Sequence, residues 1–174
     1  MKQVLITLGV LLLVMFGFYW VSNRFPANKE VKQVASDREI FFEVPENIVA
    51  GTETDIILKA KHESGKIVNY VVNFNYDPAI IKILNVEVNK EIFDKTASST
   101  IDEVFGKVMV TGENIKNRDK LASGEIILAT IKVKGLRKGG TMIYSSRKAE
   151  VGILDAGKVA DGNFKMPNFK VNFL

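Results

Sequence analysis

His62 is the only histidine of the 174-residue chain, and there is no cysteine at all. Without cysteine there is no thiolate nucleophile, no cysteine-built zinc site, no disulfide framework and no lipid-modified cysteine. One histidine cannot supply a histidine pair or a multi-histidine metal centre. His62 falls in a Lys-His-Glu-Ser-Gly segment, which predicts an exposed loop position. Serines are plentiful, yet none sits in a nucleophile elbow. The segment from Asp155 through Asp161 to Asn163 is rich in oxygen ligands and reads as a loop, but it lacks the spacing and closing glutamate of a calcium loop. Asp77 before Pro78 has the form of a turn residue whose carboxylate holds nearby backbone amides. The sequence therefore predicts no catalytic residue, no metal site and no cofactor. What remains is chemistry suited to contact, concentrated where asparagine and valine alternate along residues 69–75.

Those side chains need a strand to hold them. Tyr70, Val72, Phe74 and Tyr76 fall on one face of an extended segment, and Asn69, Val71, Asn73 and Asn75 on the other. A slip of one residue would bury three asparagines, so the register is strongly specified. Residues 107–113 repeat the pattern, with Val108 and Val110 facing in and Lys107, Met109, Thr111 and Glu113 facing out. Similar alternation marks 39–44, 54–61, 80–88, 101–105, 126–134, 140–145, 149–154 and a closing run at 168–173. Pro45, Gly51, Ser64-Gly65, Asp77-Pro78, Gly106, Ser123-Gly124, Gly139-Gly140 and Gly157 separate them. Short strands at this spacing, with no amphipathic helix between them, predict an all-β fold. Its form is a two-sheet antiparallel sandwich of the jelly-roll or immunoglobulin-like kind, with about nine strands. Lys132, Lys134, Arg137 and Lys138 make a basic patch, read as the charged protection of a sheet edge.

The segment FNYDPAIIKILNVEV, an aromatic-Asp-Pro turn followed by aliphatic residues, resembles the cohesin modules of cellulosomes. VPENIVAGTETDIILKAK resembles the opening of that family, and GKVMVTGENI, GEIILATIKVKG and AEVGILDAGK resemble its later strands in order. The similarity spans about residues 39–160. It implies a nine-stranded sandwich without enzyme activity that binds a protein partner, in the family a dockerin carrying its own calcium. It also places partner contacts at Asn69, Val71 and Glu113, and the same face carries Asn73. Val71 stands where cellulosomal members usually have an aspartate, which removes a hydrogen-bonding anchor for an ordinary dockerin.

Ahead of the sandwich, Val4–Val21 is an 18-residue run without a charge. As a helix it would be about 27 Å long, close to the roughly 30 Å of a bilayer's hydrocarbon core. Tyr19 and Trp20 lie at its end, where aromatic side chains favour the headgroup region, and no small-x-small cleavage site follows. Residues 1–23 are thus expected to form an uncleaved signal-anchor helix, 24–38 a polar stalk, and 39–174 the sandwich. Positive residues flank both sides of the run, but its very short amino flank favours a single-pass membrane protein with the domain on the extracytoplasmic side. Two other functions fit a sandwich of this kind, a carbohydrate-binding module and a structural envelope subunit. Sugar platforms use exposed aromatics; the lone tryptophan lies in the apolar run, leaving Phe164 and Phe169 as expected surface candidates. The net charge of +4 is mild, and no nucleic-acid-reading motif accompanies it.

Overall fold

Alternating side chains are satisfied when one face of a strand is buried and the other meets water. The computed structural model describes residues 38–46, 48–114 and 124–174. In these residues the pattern becomes eleven strands, with no helix among them. They are β1 (Glu39–Glu43), β2 (Glu53–His62), β3 (Lys66–Asn75), β4 (Ile81–Val88), β5 (Thr96–Asp102), β6 (Lys107–Glu113), β7 (Gly124–Gly135), β8 (Gly139–Ser145), β9 (Glu150–Asp155), β10 (Lys158–Asn163) and β11 (Phe169–Phe173). A four-stranded sheet has the order β1-β2-β7-β4. A seven-stranded sheet has the order β10-β9-β3-β6-β5, with β8 beside the end of β3 and β11 on β8. The ladders between these strands are antiparallel.

The core fills the space between the inner faces. Phe42 and Phe74 meet edge to face at 5.2 Å, and Tyr70 meets Phe93 in the same way at 4.8 Å. Gly112 lies beneath the second pair; a Cβ there would come within 2.5 Å of the Tyr70 ring. The Tyr70 hydroxyl crosses the core and donates to the Leu128 carbonyl on β7 at 2.8 Å. It thereby ties the seven-stranded sheet to the four-stranded one.

Burial pushes the Tyr70 phenol well above its ordinary range. Tyr76 is raised as well, first by burial and then by Glu103 and Asp102. In the folded state both phenols hold their protons to higher pH than in an unfolded chain, where they ionise near pH 10. Stability from these groups is therefore complete below about pH 10 and is lost as pH rises above it. Tyr70→Phe is expected to lower unfolding free energy by about 1–2 kcal/mol at neutral pH. It should also flatten the alkaline fall, as urea titrations at pH 7 and pH 11 would show.

Several expectations are corrected. The strand expected at 101–105 is β5, Thr96–Asp102, and residues 103–106 form a turn. The Asp102 carboxylate accepts from the amides of Val104 at 3.2 Å and Phe105 at 3.0 Å, which bends the chain there. The segment read as a loop after Asp155 is a hairpin that adds β10. Its turn residues Ala156 and Gly157 both have positive φ, 46° and 80°, as a two-residue type I′ turn requires. His62 is not exposed: it ends β2 on the inward face, fully buried, with its ring centroid 6.4 Å from that of Phe164. Phe164 is itself buried, and Phe169 is half-buried against Phe42, so neither forms an open platform for a sugar. Lys132 and Lys134 lie on β7, which has β2 on one side and β4 on the other, so they guard no sheet edge. The apolar run 4–21 and all of the stalk except Arg38 lie outside the described residues.

Candidate functional site

The two outer faces of the sandwich differ in chemistry. On the four-stranded sheet, opposite charges face one another across the ladders. Glu39 is opposite Lys61, Lys61 opposite Glu125, Asp55 opposite Lys132, and Glu53 opposite Lys134. Lys59 bridges Glu43 on one side and Glu125, at 2.7 Å, on the other. Its hydrogen bonds to Glu125 and then Glu43 raise the ammonium pKa above the ordinary lysine value. This face largely neutralises itself.

The outer face of the seven-stranded sheet has uncharged side chains along most of β3, β6 and β8, with Lys107 and Glu113 at the two ends of β6 and Glu150 of β9 opposite Val71. β3 presents Asn69, Val71, Asn73 and Asn75, β6 presents Met109 and Thr111, and β8 presents Met142 and Tyr144. Register places Asn69 opposite Glu113, Val71 opposite Thr111, and Asn73 opposite Met109. The four residues singled out from the sequence, Asn69, Val71, Asn73 and Glu113, therefore share one face of two adjacent strands. Around Asn69, Val71, Thr111, Glu113, Glu150 and Asp161 the surface forms a shallow hollow of about 420 Å³. Asn73 lies beyond it, towards the Tyr76 end. Glu113 is held by Lys95 at 2.9 Å, and Thr111 shares a 2.9 Å hydrogen bond with Ser98 on β5.

Asn69 also has a structural part. Its Oδ1 accepts the Gly152 amide of β9 at 2.9 Å, beside a register shift between Ile67 and Asn69. A Cβ at Gly152 would lie 2.4 Å from that oxygen, so a larger residue there would push the Asn69 side chain aside and break the bond. Substitutions at 69 would therefore mix folding with binding. Val71 and Asn73 have no such bond to the backbone of β9.

The turn from β5 to β6 completes this face with residues that sequence reading missed. Val104 and Phe105 are 79% and 70% exposed. The Lys107 ammonium lies 5.6 Å from the centroid of the Phe105 ring, so the ring borders the outer row of β6. Asp102 fixes the turn through two amides, and Gly106 fixes it through the Tyr76 amide, which donates to the Gly106 carbonyl at 2.8 Å. The available signal was Asp102 followed by a glycine four residues later, a turn rather than a strand ending. Asp77 does what its place before Pro78 predicts, accepting the Ala79 amide at 2.9 Å.

No family model matches the chain, and no curated protein is significantly similar to it. Solved structures are similar in fold. The seventh ScaB type I cohesin from Pseudobacteroides cellulosolvens superimposes with a TM-score of 0.68 at 16% identity, covering 79% of this chain and 92% of that one. The OlpA cohesin of a type I cohesin–dockerin complex from Clostridium thermocellum gives 0.65 at 14% identity, over 79% and 99%. A non-cellulosomal cohesin from the archaeon Archaeoglobus fulgidus gives 0.58 at 10% identity, over 79% and 91%. At such identities the likeness is one of fold: the described residues form a cohesin-like sandwich.

Proposed function

We propose that this chain is a non-catalytic, cohesin-like module that captures a protein partner on the outer face of β8, β3 and β6. The observation that carries this reading is the contrast between the two faces. Protein interfaces are depleted of charge at their centre and enriched in aromatic residues and methionine. The face with Val71, Met109, Met142, Tyr144 and Phe105 has that composition, whereas the opposite face is laced with compensating charges. The fold likeness to cohesins seen in complex with dockerins supports the same reading. Val71 at the centre favours a partner that offers an apolar group there instead of a donor seeking a carboxylate. The apolar run 4–21 would tether the module to the membrane and display this face outside the cell.

The test is capture by the immobilised full chain in detergent, with and without a chelator, from envelope extracts. A protein retained by the native chain should be lost, by at least about tenfold, with Val71→Arg, because a long charged side chain would fill the hollow that an apolar group of the partner enters, and burying it costs free energy. Thr130→Arg on the opposite face should retain it, and both variants should keep the native thermal midpoint. Dependence on calcium would identify a dockerin-type partner. Equal retention by Val71→Arg would move the interface off this face. Retention of a soluble polysaccharide that Tyr144→Ala abolishes would assign the face to sugar instead.

A further inference from the structure

A sheet edge carries unpaired backbone N–H and C=O groups, and sandwiches usually protect their edges from pairing with other chains. Among the described strands, four of the five sheet edges are protected. β1 is five residues long, with a glutamate at each end. β4 is broken by a register shift between Ile83 and Asn85. β10 carries Lys158, Asp161 and Gly162, and β11 is five residues long with Lys170 within it. β5 differs. Its sequence, TASSTID, has no lysine, proline or glycine, and it pairs on one side with β6. No described strand forms a backbone ladder on its other side; beneath it the inward Ser99 hydroxyl donates to the Val86 carbonyl of β4 at 3.3 Å.

We infer that β5 is a self-recognition edge, on which a second copy of this chain pairs antiparallel about a two-fold axis at Ser99. The sequence from Lys95 to Glu103 is self-complementary in that register. Within the strand Thr96 meets Asp102, Ala97 meets Ile101 and Ser98 meets Thr100 of the second copy, while Lys95, just before β5, and Glu103, in the turn just after it, fall at the same end of the pairing as flanking opposite charges. Faces are preserved as well. Ala97 and Ile101 pack against the core as half-buried residues, so their pairing extends an apolar row. Thr96, Ser98 and Thr100 are exposed, so their hydroxyl and carboxylate partners extend the outer row. Cross-strand pairs of these kinds stabilise antiparallel sheets. Neighbouring registers fail: a centre at Ser98 sets Asp94 against Asp102, and a centre at Thr100 sets Glu103 against Ala97. The pairing is isologous and closes at two copies. It would set the two outer faces side by side in one continuous sheet.

The absence of cysteine allows a direct test in the full chain, in membranes or detergent. In the Ser98→Cys/Thr100→Cys variant, directly opposed residues lie within about 5.5 Å at Cβ, so mild oxidation should give a covalent dimer on non-reducing gels. The Lys158→Cys/Ala160→Cys pair on the β10 edge should not. In that cysteine background, Lys95→Glu and Glu103→Lys should each reduce cross-linking by about tenfold, since each turns attraction into repulsion twice per dimer. Combining the two exchanges should restore cross-linking. That rescue separates pairing between copies from loss of the Lys95–Glu113 bridge within one copy, which the double variant still lacks. It also separates this pairing from any association through residues 4–21, which the exchanges leave untouched. No cross-link, equal cross-linking at β10, or a double exchange no better than the single ones would each overturn the inference.

Discussion

Replacing Phe105 with alanine is expected to weaken binding of the captured protein by about 30-fold, equivalent to about 2 kcal/mol, with little change in fold stability. Interfaces draw most of their energy from a few buried aromatic or arginine anchors, and Phe105 is the most exposed aromatic residue on this face. Its backbone is already ordered by Asp102, so docking would immobilise little more than one ring. Because the ring is largely exposed, its loss should shift unfolding free energy by no more than about 0.5 kcal/mol. Titration calorimetry on the native and variant chains measures the first quantity, and urea denaturation the second. An unchanged affinity would place the energetic centre elsewhere, with Met109 and Tyr144 the next residues to truncate.

Gly106→Ala should have the largest effect on the fold of any exchange in this turn. Gly106 has φ +59°, and a Cβ there would come 2.1 Å from the Tyr76 carbonyl oxygen and 2.8 Å from Cδ of Pro78. Neither neighbour is a flexible side-chain tip, so backbone has to move, and the Tyr76–Gly106 hydrogen bond goes with it. Left-handed strain and overpacking each contribute about 1–3 kcal/mol. The expected destabilisation is therefore about 3–5 kcal/mol, read from chemical denaturation. Binding should fall as well, because the same movement displaces Val104 and Phe105. Gly51→Ala, at φ +86° with no atom within 4 Å of the added Cβ, isolates the strain component and should cost about 1–2 kcal/mol.

Alternation in the sequence was enough to place β3 and β6 and to separate their inner and outer faces. It also held for His62, since Ile56, Leu58 and Ala60 share its parity and its inward direction. The polar neighbours of His62 concealed this, because a turn composition was weighed above the period. β5 could not be read in the same way. Its small hydroxyl residues show little apolar contrast, and pairing with β6, as in Thr100 opposite Met109, sets its limits. The bond from Gly152 to Asn69 joins residues 83 positions apart, so no local pattern announces that half of the Asn69 side chain is engaged. Gly157 marked the break after β9, but the polar, glycine-containing run behind it showed no apolar alternation, and so concealed β10.

The chain enters the sandwich at Arg38, beside Ser64, while Val104 and Phe105 lie at the other end of the ten-residue strand β3. β1 runs away from Arg38 along β2, and the Lys165 backbone holds it on its other side through Ile40 and Arg38. A pull through Arg38 against a load held at the far end would therefore slide β1 lengthwise. Its hydrogen bonds to β2 would be strained together instead of opening one after another from the end. Loaded in that direction, the module would yield abruptly and at high force.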